Sequence, residues 1–311
     1  MTKRRVGAVL AASAQLAQWE AAFRRALPDA SLHVWPDVPV SADYAFVWKP
    51  PASLFTRCRI ERAIFNLGAG ADALLGVDTL PPAVPVVRLE DAGMAIQMAE
   101  YVTLAVLRAY REQDAYAQQQ RERTWQGRRR LDKAAFRVGL LGVGVLGRAV
   151  AQALGALEFP VAGWGRSAHD DAGIPVFAGE AGLHELLAQS HVLVVLLPLT
   201  PQTRGLLDRA ALARLPRGAH LVNIARGPLV VEEDLLALLD DAHIASATLD
   251  VFDEEPLPPQ HRFWHHPRIV LTPHVSAATL VDVSTAQVVS KIAAIERGET
   301  VTGIVDAARG Y

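Results

Sequence analysis

The sequence has very little cysteine, no long apolar run and almost no net charge. Cys58 is the one cysteine among 311 residues, which excludes an internal disulfide and suits a reducing compartment such as the cytoplasm. Because no apolar run is long enough to cross a bilayer, we expect no membrane partner. The 31 basic and 33 acidic residues nearly cancel, so the overall charge gives no reason to expect nucleic-acid binding. The basic run 128–130 is interpreted as a solvated or subunit-contact patch, with phosphate binding as the alternative.

Apolar residues, by contrast, make up 51% of the chain. This is enough for two domains, each with its own core. The first apolar run, Val6 to Leu10, follows basic residues and precedes small ones, so it imitates a signal peptide. We interpret it instead as a first β-strand, since it is at the short limit for the apolar segment of a signal peptide.

Short apolar runs alternate with helical patterns along the whole chain. The first part contains four predicted strands, at Val6–Leu10, Tyr44–Trp48, Ile64–Asn66 and Val84–Val87. One long helix is predicted over about 93–120, six more strands follow, and a last helix is predicted near 281–297. Near-continuous apolar strands between helices indicate parallel sheets covered on both faces. We therefore predict an α/β fold with a discontinuous domain of 1–100 plus 281–311 and an inserted domain of 101–280.

The stretch VGLLGVGVLGRAV places Gly142, Gly144 and Gly147 at the spacing G-x-G-x-x-G, between a predicted strand and a predicted helix. Gly142 permits a tight turn, Gly144 lets a pyrophosphate approach the backbone, and Gly147 permits close packing of helix and strand. The motif alone is also compatible with a purely structural turn. Its context predicts a dinucleotide-binding, Rossmann-like domain whose helix N-terminus faces the pyrophosphate.

The end of the next strand carries a cation where such domains usually carry an acid. An acid there accepts hydrogen bonds from the adenosine ribose and repels a 2′-phosphate. Here the sequence reads Gly165, Arg166 and Ser167, which removes the repulsion and offers a guanidinium and a hydroxyl to a phosphate. We predict a preference for NADP(H), with NAD(H) as the second cofactor. The alternative is that Arg166 only points to solvent.

Four polar residues follow later strands. Arg226 follows HLVNIA, Asp250 is the residue before the last of ASATLDV, Glu255 precedes Pro256, and His274 is the last residue of IVLTPH. The carboxyl ends of parallel strands are where open sheets bind ligands. The alternatives are a surface arginine, a turn aspartate and a histidine that caps the last helix, and Glu254 competes with Glu255. A histidine-rich loop beside Asp253 and Glu254 could suggest a metal, but we expect none; its histidines are His261, His265 and His266.

Eight stretches, in this order, resemble the D-isomer-specific 2-hydroxyacid dehydrogenase family over essentially the whole chain, and in particular its glyoxylate and hydroxypyruvate reductases. They are VWKPP, NLGAGAD, GMAIQMAEYV, GVGVLG, LPLTPQT, NIARG, LDVFDEEPLP and TPHVSA. The resemblance implies that Arg226 binds the substrate carboxylate and polarises the C2 carbonyl. His274 would then donate a proton, Glu255 would orient His274, and Asp250 would position the nicotinamide carboxamide.

The resemblance also implies a substrate site and the remaining cofactor contacts. The substrate would meet Arg226 and His274 together with the loop Gly68, Ala69 and Gly70, while Trp48 and Lys49 line that side. The further cofactor-binding residues are Val145, Leu146, Leu197, Pro198, Leu199, Thr203, Ile224 and Ala225, and Arg226, Asp250 and His274 are expected to contact the cofactor as well. For Pro198, Thr200 and Thr203, a strand end followed by a helix cap is the structural alternative.

The implied reaction is the NADPH-dependent reduction of glyoxylate to glycolate and of hydroxypyruvate to D-glycerate. The implied assembly is a homodimer through the long helix, with domain closure by a hinge. A dehydrogenase for a bulkier 2-oxo acid, a formate or phosphonate dehydrogenase, and a non-enzymatic NAD(P)-sensing protein remain alternatives. Formate dehydrogenases carry Gln where Glu255 stands, and the set of Arg226, Glu255 and His274 favours an enzyme.

Overall fold

The structure is a computed structural model and describes residues 6–129, 131–167 and 173–310. These residues form two compact units. The first comprises the described residues of Met1–Gly93 and Thr279–Tyr311, and the second comprises those of Met94–Ala278. No described helix is both long enough and apolar enough to cross a membrane.

The first unit is a parallel sheet of five strands, in the order β2-β1-β3-β4-β5. Its elements up to residue 93 are β1 (Gly7–Ala12), α1 (Leu16–Ala26), β2 (Ser31–Val34), β3 (Ser41–Trp48), α2 (Ser53–Arg57), β4 (Arg59–Asn66), α3 (Asp72–Leu75) and β5 (Val86–Arg88). Val9 and Leu10 are fully buried in β1, so the predicted first strand is confirmed. Phe23 of α1 stacks on Phe46 of β3, with ring centroids 4.1 Å apart.

The second unit is a parallel sheet of seven strands, in the order β12-β11-β10-β9-β6-β7-β8. Its elements are α4 (Met94–Tyr110), α5 (Gln113–Arg121), β6 (Val138–Leu141), α6 (Val145–Ala156), β7 (Val161–Gly165), β8 (Val176–Ala178), α7 (Gly179–Gln189), β9 (Val192–Val195), α8 (Arg209–Leu212), β10 (Ala219–Asn223), α9 (Glu232–Asp240), β11 (Ile244–Leu249) and β12 (Ile269–Leu271). Three short 3₁₀ turns lie at Lys133–Ala135, Gly227–Leu229 and Arg262–His265.

Helices cover both faces of the second sheet. Successive residues of a strand point to opposite faces, so neighbouring residues of one strand belong to different cores. In β9, Val192 and Val194 join the core under α4 and α6. Leu193 and Val195 join the core under α7, α8 and α9. A strand buried on both faces is apolar throughout, which explains the continuous run at 192–197.

The chain returns to the first unit through α10 (Val281–Glu296), which packs against α1. The tail beyond it is held by Lys291, whose Nζ donates to Glu90 Oε2 at 3.1 Å and to the Thr302 carbonyl at 2.8 Å. The Val305 N–H then donates to the Val86 carbonyl at 2.8 Å, which attaches the tail to β5.

The predicted α/β class with parallel sheets is confirmed, and three local predictions differ from the structure. The single helix predicted over 93–120 is two helices, because Glu112 adopts a left-handed φ of 52° between α4 and α5. The two units meet in sequence at Gly93/Met94 rather than at 100/101, since α4 packs against α6, β9 and β10 of the second unit. The edge strands β2 and β8 were not predicted, because each is short and incompletely buried.

Candidate active site

The predicted phosphate loop, residues 142–144, lies between β6 and α6, where the strand order of the second sheet reverses. The chain proceeds from β6 to β7 and β8 and then returns to β9 on the other side of β6. Gly142 has φ +105°, and a Cβ on it would lie 2.9 Å from the Leu196 carbonyl oxygen. A Cβ on Gly147 would lie 2.2 Å from the Gly142 carbonyl oxygen. Both positions therefore require glycine to bring helix and strand together.

Gly144 differs from these two glycines. It is exposed and caps α6, and a Cβ on it would meet no described protein atom within 4 Å. The protein itself therefore does not require glycine here. Val145, the first residue of α6, is 48% exposed, and Leu146 is half-buried. The start of α6 thus offers exposed backbone N–H groups beside a space that a side chain would fill, which fits a pyrophosphate.

The carboxyl end of β7 carries Gly165, followed by Arg166 and Ser167, both exposed. A Cβ on Gly165 would meet Val176 Cγ1 at 3.8 Å, which is ordinary contact. Packing therefore does not demand glycine at this strand end. Residues 168–172 lie outside the described residues.

The loop after β9 contains Leu197, Pro198, Leu199 and the threonine pair Thr200 and Thr203. Leu197 is buried, whereas Pro198 and Leu199 are half-buried. Thr203 Oγ1 donates to the Pro198 carbonyl at 2.7 Å and accepts from the Thr200 N–H at 2.8 Å. The two threonines close a turn at 201–205 rather than cap a helix.

Asn223, at the end of β10, shapes the turn that carries Arg226. It is 1% exposed. Its Nδ2 donates to the Arg226 carbonyl at 2.9 Å, and its Oδ1 accepts from the Ala225 N–H at 3.1 Å. Arg226 is half-buried, and its Nη1 donates to the Ala225 carbonyl at 2.7 Å. Ile224 and Ala225 are buried beneath the turn.

Gly227 brings the Arg226 turn against the loop after β11. A Cβ on Gly227 would lie 2.0 Å from the Phe252 carbonyl carbon and 2.4 Å from the Asp253 nitrogen. Any other residue would separate the two loops. Because the second loop continues to Glu255, this contact positions the arginine and the glutamate on neighbouring segments.

Asp250 is fully buried, with 0% exposure. Its Oδ1 accepts from Thr272 Oγ1 at 2.5 Å and from the Val275 N–H at 2.8 Å. Its Oδ2 accepts from the Ser276 N–H at 2.8 Å. These contacts engage both oxygens within the protein and tie Asp250 to the loop after β12, a role that the sequence did not predict.

His274 and Glu255 form the central pair of the site. His274 Nδ1 lies 2.8 Å from Glu255 Oε2, and Glu255 Oε1 accepts from the Phe252 N–H at 3.1 Å. The geometry selects Glu255 rather than Glu254 as the partner. The His274 side chain is 40% exposed. Because Nδ1 is engaged with a carboxylate, Nε2 is the nitrogen that can exchange a proton with a ligand.

Two histidines of the histidine-rich loop, His261 and His266, pair with two different carboxylates. His261 Nε2 pairs with Glu232 Oε2 at 3.1 Å, and His266 Nε2 pairs with Asp240 Oδ1 at 3.3 Å. Across 6–129, 131–167 and 173–310, no three His, Cys, Asp or Glu side chains converge on a metal-sized space. In the basic run, Arg128 pairs with Glu112 at 2.7 Å, and Arg130 lies outside the described residues.

On the first unit, a buried asparagine organises the loop 68–70. Asn66, 2% exposed at the end of β4, donates from Nδ2 to the carbonyls of Gly68 and Gly70, both at 2.9 Å. A Cβ on Gly68 would lie 2.1 Å from the ring of Trp48, so the ring rests on the glycine backbone. Ala69 and Gly70 are half-buried. The neighbouring Lys49 is exposed and has a left-handed φ of 46°.

Comparison with known proteins identifies the family. The family model "D-isomer specific 2-hydroxyacid dehydrogenase, NAD binding domain" matches residues 103–276. The chain belongs to the D-isomer-specific 2-hydroxyacid dehydrogenase family. This dehydrogenase is 44% identical over 301 residues to glyoxylate/hydroxypyruvate reductase A of Yersinia enterocolitica, covering 94% of this chain and 96% of that one. The family predicted from the sequence is confirmed.

Solved structures agree with this assignment. A D-isomer-specific 2-hydroxyacid dehydrogenase of Xanthobacter autotrophicus Py2, in complex with NADPH and MES, has a TM-score of 0.93 and 40% identity over 99% of this dehydrogenase and 100% of that chain. The NADPH-dependent glyoxylate/hydroxypyruvate reductase of Sinorhizobium meliloti, in complex with NADP and sulfate, has a TM-score of 0.93 and 34% identity over the same shares.

Sequence reasoning missed Asn66 and Asn223, although a signal existed. Both are the last residue of an apolar strand and stand directly before a glycine-containing loop, in NLGAG and NIARG. An amide that can both donate and accept is suited to holding the backbone of such a loop. Gln97 and Tyr101 of α4 form hydrogen bonds with Ala278 and Thr272 in the loop after β12. No comparable local signal in the sequence indicates these contacts.

Proposed function

We propose that this dehydrogenase reduces small 2-oxo acids with NADPH, and that glyoxylate and hydroxypyruvate are its substrates. The observation that carries the proposal is the His274–Glu255 pair, 2.8 Å apart at the carboxyl edge of the sheet that also carries the phosphate loop. The packing of Gly227 against Phe252 keeps Arg226 on the adjacent segment. An arginine, an acid and a histidine in this arrangement suit a carboxylate-bearing carbonyl compound.

The cofactor proposal rests on the two glycine-bearing ends of β6 and β7. The open space at Gly144 and the exposed start of α6 suit a pyrophosphate. The sequence Gly165, Arg166 and Ser167 suits a 2′-phosphate, because a guanidinium supplies a permanent charge and forked donors. Both relatives described above with a bound dinucleotide hold NADPH or NADP. We propose that NADPH is preferred and that NADH is used less well.

The chemistry follows from three side chains. When bound, NADPH supplies the hydride that C2 of the 2-oxo acid receives. Arg226 donates two parallel hydrogen bonds to the substrate carboxylate and places a positive charge beside the carbonyl oxygen. His274 holds a proton at Nε2 and transfers it to that oxygen as the hydroxyl forms. Glu255 accepts a hydrogen bond from Nδ1–H, which fixes the ring orientation and stabilises the imidazolium.

The loop 68–70 is also proposed to bind substrate. The backbone N–H groups of Ala69 and Gly70, in the loop that Asn66 organises, donate to the substrate carboxylate. Trp48 and Lys49 border the same loop and would limit the size of the group attached to C2. A hydroxymethyl group changes binding by only a few kcal/mol, so we propose that both glyoxylate and hydroxypyruvate are accepted.

We also propose that the protein is a cytoplasmic homodimer. Ile96 and Leu104 lie two turns apart on α4 and are 63% and 69% exposed, so they present an apolar face that a second copy would cover. Cys58 is a buried free cysteine, which suits a reducing compartment. Light scattering should give twice the chain mass, and Leu104→Glu should give the mass of one chain.

A panel of 2-oxo acids, each tested with NADPH and NADH, tests the reaction. We expect turnover of glyoxylate and hydroxypyruvate with NADPH and lower kcat/KM with NADH. Pyruvate and bulkier 2-oxo acids serve as controls for pocket size. Absence of turnover with every 2-oxo acid would refute the proposed reaction, and a higher kcat/KM with NADH would refute the cofactor proposal.

A further inference from the structure

Helix α4 holds the loop that carries His274, which we define as residues 272–278 and call the His274 loop. Gln97 makes a reciprocal amide pair with Ala278: Nε2 donates to the Ala278 carbonyl, and Oε1 accepts from the Ala278 N–H, both at 3.0 Å. One helical turn later, the Tyr101 hydroxyl lies 2.6 Å from Thr272 Oγ1. Residues four apart share one face of a helix, so one face of α4 forms hydrogen bonds with both ends of the loop.

In the two hydrogen bonds that link Tyr101 to Thr272 and Thr272 to Asp250, each hydroxyl donates toward the carboxylate. Thr272 Oγ1 donates its single proton to Asp250 Oδ1 at 2.5 Å, so in the contact with Tyr101 it must accept. Burial raises the pKa of Tyr101, and the charge of Asp250 adds to this effect. The phenol is therefore protonated at neutral pH and donates to Thr272. A short chain of hydroxyls ending on a carboxylate is strengthened along its length.

Asp250 in turn accepts hydrogen bonds from the backbone around His274. Its carboxylate accepts the N–H groups of Val275 and Ser276 at 2.8 Å each. Its main-chain carbonyl accepts the N–H of His274 at 2.9 Å. Three consecutive loop amides thus end on one residue that is itself completely buried.

His274 needs this support because its backbone is strained. Its φ is +55°, in the left-handed region that non-glycine residues adopt only where the surroundings enforce it. Its ring must at the same time keep Nδ1 on Glu255, 2.8 Å away. A loop that relaxes to negative φ would turn Nε2 away from the substrate, and small misplacements of a proton donor lower the rate strongly.

We propose that Tyr101 and Gln97 are positioning residues for His274, acting through Thr272 and Asp250 at one end of the loop and through Ala278 at the other. The inference rests on the proposed function only for its effect on the rate. Its structural part, the constraint of the His274 loop by α4, stands without any substrate. The two parts therefore have separate tests.

Hydrogen–deuterium exchange of the full-length, ligand-free protein tests the constraint. Tyr101→Phe should accelerate exchange of the amides of His274, Val275 and Ser276 about two- to tenfold, the effect of losing one neutral hydrogen bond. Tyr110→Phe is the matched control, since it removes a phenol from the same helix, and that phenol donates to the Leu131 carbonyl at 3.3 Å. The control should leave exchange of the loop unchanged.

Steady-state kinetics with NADPH and glyoxylate test the effect on the rate. Tyr101→Phe should lower kcat about two- to tenfold, and Thr272→Val, which removes a donor to a charged group, about ten- to a hundredfold. The KM for NADPH should stay unchanged, because the phosphate loop is untouched. Thr272→Ser keeps the hydroxyl and should restore kcat, which a loss of packing alone would not predict.

The outcomes separate the two claims. Unchanged loop exchange in Tyr101→Phe would overturn the inference, and so would faster exchange with an unchanged kcat. A fall in kcat of equal size in Tyr110→Phe would overturn it as well, because the effect would belong to the helix as a whole. If the unaltered protein turned over no 2-oxo acid, the proposed function and the effect on the rate would both be wrong, while exchange would still decide the structural constraint.

Discussion

Replacing Gly144 by alanine should remove cofactor affinity and leave the fold intact. Gly144 has φ −76° and ψ −162°, an extended conformation that any residue adopts. A Cβ here meets no described protein atom within 4 Å, so the substitution creates no steric clash in the unliganded protein. The added methyl group occupies the space in which we propose that the pyrophosphate contacts the start of α6.

The magnitude follows from the cost of one extra methyl group in a close contact. Overpacking of this size costs about 1–3 kcal/mol, which corresponds to a rise in the NADPH Kd of about five- to 150-fold. The melting temperature of the unliganded protein should change little, since the added Cβ meets no described protein atom within 4 Å. Fluorescence titration with NADPH measures the first quantity and thermal unfolding the second.

Two other glycines of the same segment provide matched controls. In Gly147→Ala the new Cβ lies 2.2 Å from the Gly142 carbonyl oxygen, so both NADPH affinity and thermal stability should fall. In Gly155→Ala, within α6, the Cβ meets open space, and helix propensity should raise stability by about 0.5–1 kcal/mol with no change in affinity. An unchanged NADPH Kd in Gly144→Ala, beside normal behaviour of the two controls, would refute the assignment of this loop to the pyrophosphate.

Four further predictions concern charge. Arg166→Ala should raise the KM for NADPH about ten- to a hundredfold and leave that for NADH unchanged; an equal effect on both would contradict the 2′-phosphate assignment. Arg226→Lys keeps the charge but loses the forked donors, so kcat/KM for glyoxylate should fall sharply with normal NADPH binding, and full activity would exclude its role. Glu255→Gln should lower kcat about ten- to a hundredfold, whereas Glu254→Gln should not; the reverse pattern would move the role to Glu254. Burial lowers the pKa of His220 to about 4 in the folded protein, so between pH 6.5 and 4 the unfolded chain binds a proton at this histidine that the folded protein does not. The free energy of unfolding should therefore fall by about 2 kcal/mol from pH 7 to pH 5. In His220→Asn this loss should disappear, and an unchanged pH dependence in that variant would contradict the role of His220.

The sequence predicted best those features that depend on local sterics. The glycine spacing implied the β6–α6 turn, because Gly142 and Gly147 permit contacts that no side chain allows. Strands buried on both faces, such as β9, were visible as continuous apolar runs. The short edge strands β2 and β8 were missed, because edge strands need not be apolar throughout.

Features that depend on distant parts of the chain could not be predicted. Nothing near His274 indicates that Tyr101, 171 residues before Thr272, bonds to its loop. Spacing alone does not separate Glu254 from Glu255; the family resemblance selected Glu255, and its 2.8 Å contact with His274 agrees with that choice. The burial of Asp250 depends on the packing of β10, β11 and β12 together, so its three loop contacts became visible only in the folded chain.

The proposed reaction is tested most sharply by a single turnover of hydroxypyruvate with NADPH that carries deuterium at both C4 positions of the nicotinamide. We expect the unaltered protein to form glycerate of D configuration with deuterium bound to C2. In His274→Ala this product should be strongly reduced, while both proteins bind NADPH equally. Glycerate without deuterium at C2, glycerate of L configuration, or full turnover in His274→Ala would contradict it.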